Sequence, residues 1–168
     1  MVIVLMGVSG SGKTTVGRLL AARLNWVFYD ADDYHSPQSV AKMRSGRPLT
    51  EEDRRPWIER LSQAIRGWTD PRQSVVLACS ALTRAARGLL GVHQPGVELV
   101  YLHGPRELFA QRLDHRVGHY FPSMLLESQL DALQEPCHAH YVNVSESPEH
   151  IVEHILHLLE LSAPDTTP

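Results

Sequence analysis

Gly7-Val8-Ser9-Gly10-Ser11-Gly12-Lys13-Thr14 is the stretch on which the reading of the fold turns. It matches the pattern G-x-x-x-x-G-K-[ST] in full, through Gly7, Gly12, Lys13 and Thr14. Glycines let the backbone curl until successive N–H groups point into one concavity, a nest for anions. A helix starting there adds its positive N-terminal end. Lys13 is then placed for the β and γ phosphates of ATP, and the Thr14 hydroxyl for Mg²⁺. Gly7 to Thr14, with Thr15 directly after, form the candidate nucleotide-binding set, and Lys13 is also a candidate catalytic residue.

The flanks supply the context this loop requires. Before it, Val2-Ile3-Val4-Leu5-Met6 is a continuous apolar run, as expected of a strand buried on both faces of a parallel sheet. After it, Val16, Leu19, Leu20 and Leu24 recur at i, i+3, i+4 and i+8, one face of an amphipathic helix. Further out, strands are expected at 26–29, 74–79, 97–102 and 141–144. Helices are expected near 36–45, 52–68, 84–90, 105–114 and 124–133, and a closing helix is marked by Ile151, Ile155, Leu158 and Leu159. This alternation predicts an α/β P-loop NTPase fold, a five-stranded parallel sheet with helices on both faces. One domain over 1–161 and a frayed polar tail over 162–168 complete the plan. Such sheets bind ligands beyond the carboxyl ends of their strands. There the chain sets the glycine loop, Asp30 to Asp33, Ser80, His103-Gly104 and Ser145.

Composition narrows the partners. The chain has 168 residues and a formal net charge of -3, so no basic excess points to nucleic acid. Val2 to Met6 is far too short to span a membrane and lacks a basic leader, and two cysteines make no disulfide framework. The expectation is a cytoplasmic protein. Ten histidines raise the question of a metal. His150, His154 and His157 share a helix face, but no further ligand is evident, so a solvated face is the expectation.

Asp30-Ala31-Asp32-Asp33 directly follows the second strand. A carboxylate so placed can orient an attacking hydroxyl and accept its proton, and a neighbouring one can hold magnesium. Asp32 is the candidate base, Asp30 the candidate magnesium residue; a solvated turn or helix cap is the alternative. His35, Lys42, Arg44, Arg47, Arg54 and Arg55 follow, either an anion-binding set or a mixed-charge surface. Arg112 to Phe121, rich in cations, His and Gly, reads as a mobile loop. Arg112 and Arg116 would close over the nucleotide and neutralise transition-state charge, or else complement a helix dipole.

The loop alone says nucleotide. No N-K-x-D guanine motif occurs, and the strand Val75 to Ala78 ends in Cys79-Ser80, not in the Asp of machine ATPases. Together with the loop, six more stretches closely resemble the small P-loop gluconokinases. They are Asp30 to His35, Lys42-Met43-x-Ser45-Gly46-x-Pro48-Leu49, Asp53-Arg54-x-Pro56-Trp57, Cys79-Ser80-Ala81-Leu82, Arg112 to Phe121, and Leu133-Gln134-Glu135-Pro136. The resemblance implies ATP- and Mg²⁺-dependent phosphorylation of D-gluconate at its 6-hydroxyl. It implies a nucleoside monophosphate kinase-like fold, a homodimer, and a mobile lid over about 112–121. Carried over residue by residue, it gives Asp32, His35, Arg54, Arg87 and His119 to the substrate, and Arg116 to catalysis. One departure is visible. After Cys79-Ser80-Ala81-Leu82 the family runs on to Tyr-Arg-Asp, whereas here Arg87 stands between Ala86 and Gly88. Shikimate kinases share the loop and the Asp-x-Asp turn, but typically carry three glycines where this chain has Cys79 to Leu82. A non-catalytic nucleotide-binding module is the third reading, and Lys13, Thr14 and Asp32 speak against it.

Overall fold

Val2 to Met6, the first apolar run, forms strand β1 and is buried along its whole length. Its alternating side chains enter two separate cores, which is why no position in it is polar. The computed structural model describes residues 1–45, 47, 49–69, 73–114 and 122–162. From β1 the chain passes to helix α1 (Lys13–Leu24), β2 (Val27–Asp30), a 3₁₀ turn (Ala31–Tyr34), α2 (Pro37–Arg44) and α3 (Glu51–Trp68). It continues as β3 (Val75–Ala78), α4 (Arg84–Leu90), β4 (Val97–His103), α5 (Arg106–Asp114), α6 (Pro122–Ala132), β5 (His140–Asn143) and α7 (Pro148–Leu158).

The five strands lie in the order β2-β3-β1-β4-β5, and every neighbouring pair is parallel. β1 is central, with Val4 level with Leu77 on one side and Leu99 on the other. Ile3 and Leu5 face a core with Leu20 of α1, Phe109 of α5 and Ile155 of α7. Val2, Val4 and Met6 face a second core with Leu61 and Ile65 of α3 and Leu90 of α4. Helices therefore cover both faces, as the sequence predicts. The chain leaves β1 toward β2, returns to β3 beside β1, then crosses to β4 on the other flank. That reversal opens a crevice at the carboxyl end of β1, where the glycine loop sits.

The elements begin and end near their predicted places, with small physical differences. The second strand is shifted by one residue, so that Asp30 is its last residue and not the first of the turn. Arg112 to Asp114, where the predicted helix over 105–114 and the predicted loop overlap, are the last turn of α5, with Leu113 buried in the first core. Residues 115–121, the rest of the predicted lid, and residues 163–168 of the predicted tail lie outside the described residues. Thr50 and Asp53 form a reciprocal capping box at the start of α3, as their spacing suggests. Among the described residues no helix is long and apolar enough to cross a membrane.

Candidate active site

The phosphate loop is shaped by backbone contacts. Gly7 N–H donates to the Ser80 carbonyl at 3.4 Å, and Ser11 N–H to that of Val8 at 3.2 Å. Gly10 has φ +83°, and a Cβ there would lie 2.8 Å from the Phe109 carbonyl, so only glycine lets the loop touch α5. Val8 and Ser11 are buried. Gly12, in the left-handed region, is the N-cap of α1, and no side chain caps that helix. Its first N–H groups and its dipole are therefore directed at the loop's own concavity. Lys13 Nζ donates to the Gly7 and Val8 carbonyls, both at 2.9 Å, which curls the ammonium back over the loop. Thr15, in the first turn of α1, is exposed.

The acidic turn meets this loop through one side chain. Asp30 Oδ2 accepts from the Thr14 hydroxyl at 2.9 Å, and its Oδ1 accepts from Asp32 N–H at 3.1 Å. Asp30 thus does two things that the sequence offered as alternatives. It caps the 3₁₀ turn and stands beside the candidate magnesium hydroxyl. A hydroxyl and a carboxylate facing one anion nest suit Mg²⁺, a cation that takes oxygen ligands and keeps phosphate and water in its shell. Among the described residues, no group of three or more His, Cys, Asp or Glu would hold a metal. His150, His154 and His157 are exposed on α7.

Asp32 projects outward, its side chain 87% exposed, with His35 Nε2 3.9 Å from its Oδ1. Although its own atoms are open to the cleft, the protein around it thins its hydration. That desolvation, followed by repulsion from Asp30, raises its pKa above 3.8, against the pull of His35 and Lys13. His35 is the opposite case. Its side chain is 7% exposed and its ring stacks on Trp57 at 4.5 Å. Burial lowers its pKa below 6.5; Asp32 opposes this, and Arg60 and Arg54 reinforce it. The ring is neutral at pH 7, and its Nδ1 is buried without a hydrogen-bond partner among the described residues. Trp57, from the Asp53–Trp57 stretch, anchors this arrangement by donating its indole N–H to the Ala31 carbonyl at 2.7 Å.

The cations distribute unevenly. Arg112 is brought beside the loop: a Cβ at Gly12 would lie 3.9 Å from its Nη1, and its Nη2 donates to the Val144 carbonyl at 2.7 Å. Arg54 is exposed on the first turns of α3, near enough to His35 to act on its charge. Lys42 is paired with Asp53 at 2.5 Å, tying α2 to the cap of α3. That contact and the Thr50 hydrogen bonds hold the Asp53 carboxyl at about 2. Arg87 is 2% exposed, and its Nη1 donates to the carbonyls of Ala81 (2.9 Å) and Leu82 (3.0 Å). It braces the turn after β3, where Ala81 has φ +45°. Cys79 is a core residue, its thiol pushed up to about 12 by burial. Arg116 and His119 lie outside the described residues. Two residues with site contacts carried no assigned role in the sequence. Trp57 was visible as part of a motif, whereas Gln129, whose Oε1 accepts from Ser9 N–H at 2.6 Å, gave no local signal.

Known proteins match this arrangement over most of its length. The family model for shikimate kinase matches residues 9–160. A probable gluconokinase of Xenopus tropicalis is 46% identical over 151 residues, covering 81% of this chain and 80% of the relative. Among solved structures, a gluconokinase from Sinorhizobium meliloti 1021 is 39% identical with a TM-score of 0.82, over 94% of this chain and 90% of that one. A sugar kinase from Janibacter sp. HTCC2649 is 38% identical with a TM-score of 0.84, over 95% and 94% of the two chains.

Proposed function

The chain belongs to the gluconokinase family of P-loop kinases, and from that premise we propose that it transfers the γ-phosphoryl group of ATP to the 6-hydroxyl of D-gluconate, giving 6-phospho-D-gluconate and ADP. The observation that carries the reading is the Thr14–Asp30 hydrogen bond, which locks the phosphate loop to the turn bearing Asp32. Donor phosphates and acceptor base thereby share one edge of the sheet.

In this reading the N–H groups of the loop and of the first turn of α1 receive the phosphates. Lys13 moves its ammonium from the Gly7 and Val8 carbonyls to the β and γ oxygens. Thr14 and Asp30 would hold Mg²⁺, which supplies charge neutralisation on those phosphates. Asp32 accepts a hydrogen bond from the 6-hydroxyl and takes its proton as the oxygen–phosphorus bond forms and the bond to the β,γ-bridging oxygen breaks. Its raised pKa makes it a stronger base than an ordinary carboxylate. The buried Nδ1 of neutral His35 offers a hydrogen-bonding site for an acceptor hydroxyl, and Arg54 a cation for the carboxylate. Arg87 shapes the acceptor wall by bracing its turn. Arg112 and Arg116 serve the nucleotide and the transferring group, and His119 the substrate. A cytoplasmic homodimer belongs to the same proposal.

ADP release measured with gluconate, shikimate and other sugar acids tests the assignment. Saturable turnover with gluconate, at a kcat/KM far above the others, is expected. Turnover with shikimate alone would transfer the site to the other acceptor class, and ATP binding without any acceptor-dependent turnover would make the chain a binding module.

A further inference from the structure

We propose that Gln129 is a positioning residue of the phosphate loop, holding the Ser9 peptide in the shape that receives the nucleotide; this rests on the kinase reading above. The curl of the loop turns its peptide N–H groups away from ordinary secondary-structure partners. Gly7 N–H finds the Ser80 carbonyl and Ser11 N–H the Val8 carbonyl. Ser9 N–H finds no backbone acceptor among the described residues. Its partner is the Gln129 side chain, 120 residues away in sequence and 2.6 Å away in space. A partly buried amide that lost this acceptor would have to turn toward water, and the loop would turn with it.

The placement of Gln129 supports a role beyond one hydrogen bond. It stands on α6, which packs on α5, and α5 meets the loop through Phe109 and Leu113 at Gly10. Five residues further on, Gln134 accepts from Arg84 N–H at 2.7 Å through its side chain and donates its own N–H to the Leu82 carbonyl at 2.9 Å. The stretch 129–134 therefore fastens both the phosphate loop and the turn after β3, two walls of the same cleft. The chemistry of the side chain also fits. An amide oxygen accepts as a carboxylate would, but adds no negative charge beside a loop that must take phosphates.

Gln129→Ala and Gln129→Glu separate the hydrogen bond from the charge. The readouts are ADP affinity by calorimetry, KM for ATP and for gluconate, melting temperature, and the exchange rate of the Ser9 amide by NMR. Gln129→Ala should weaken ADP binding about fivefold, the worth of one hydrogen bond, and speed Ser9 exchange. KM for gluconate should change less than about twofold under the same argument. Gln129→Glu should keep Ser9 protected yet weaken ADP binding, with a deficit that shrinks as salt rises. Unchanged ADP affinity and Ser9 exchange in Gln129→Ala would overturn the proposal. So would a large fall in melting temperature with both KM values rising in parallel, which is what a merely structural residue would give. If wild-type protein binds ADP but does not phosphorylate gluconate, the acceptor assignment fails while the ADP and Ser9 measurements still decide the role of Gln129.

Discussion

On the phosphate side of the cleft, the loop from Gly7 to Gly12 is held by the Ser80 carbonyl just after β3, by the Val8 carbonyl of the loop itself and by the Gln129 side chain, and it lies close against α5 at Gly10. On the acceptor side, the turn from Ala31 to Tyr34 hangs on side chains: Asp30 from within, Trp57 from α3, and His35 stacked between that tryptophan and Asp32. The first wall is shaped by backbone geometry, with three glycines at positive φ. The second leaves the buried His35 Nδ1 without a partner among the described residues and an exposed carboxylate of raised pKa. The phosphate wall is general to nucleotide users, and under the proposed function the choice of reaction falls to the acceptor wall.

Substitutions on the two walls should therefore fail differently. Lys13→Ala is expected to have the largest effect, a fall in kcat/KM of about 10³-fold, because a charge aimed at the transferring phosphoryl group is removed. Steady-state kinetics with saturating gluconate check this, and near-normal turnover would remove Lys13 from the chemistry. Asp32→Asn comes next, with kcat lowered about 10²-fold and KM for ATP within about twofold. In the parent enzyme kcat/KM for gluconate should fall as pH drops through the raised pKa of Asp32, an acid limb above 3.8, and this limb should vanish in Asp32→Asn. The same shift has a stability consequence. A carboxyl whose folded pKa is raised favours folding below its unfolded pKa, and that contribution is lost as pH rises through the folded value. At neutral pH the Asn variant should therefore melt slightly higher than the parent, and a lower melting point would refute the assigned environment. The smallest effect belongs to Trp57→Phe, which leaves the Ala31 carbonyl without its donor. A stability loss of about 1–2 kcal/mol by denaturant titration is expected, with KM rising for gluconate more than for ATP.

The same contrast explains what could be read from the sequence. β1, the loop and α1 are contiguous, so a local pattern specifies strand, turn and helix start together, and the structure agrees. The alternation of apolar runs likewise predicted five parallel strands, because each buried strand must be apolar on both faces. The acceptor wall depends on contacts between distant segments. Arg87, assigned to the substrate by the resemblance, is buried and donates to the Ala81 and Leu82 carbonyls nearby in the chain, a use that no sequence pattern marks. Lys42, read as part of either an anion-binding set or a mixed-charge surface, pairs with Asp53. Arg112 fell in the overlap of a helix expected over 105–114 and a loop expected from 112, and burial of Leu113 settles 112–114 for the helix. Gln129 was invisible for the plainest reason: nothing in a helix of mixed residues marks which side chain meets a loop 120 positions earlier.

The central claim is that the acceptor wall directs the γ-phosphoryl group to one hydroxyl of one sugar acid. Phosphorus and proton NMR of a reaction containing the full chain, ATP, Mg²⁺ and D-gluconate tests it most directly. The account predicts a single phosphomonoester on the C6 oxygen, formed one for one with ADP, and little ADP when gluconate is omitted. Phosphate on another position, or ADP and inorganic phosphate released equally fast without gluconate, would contradict it.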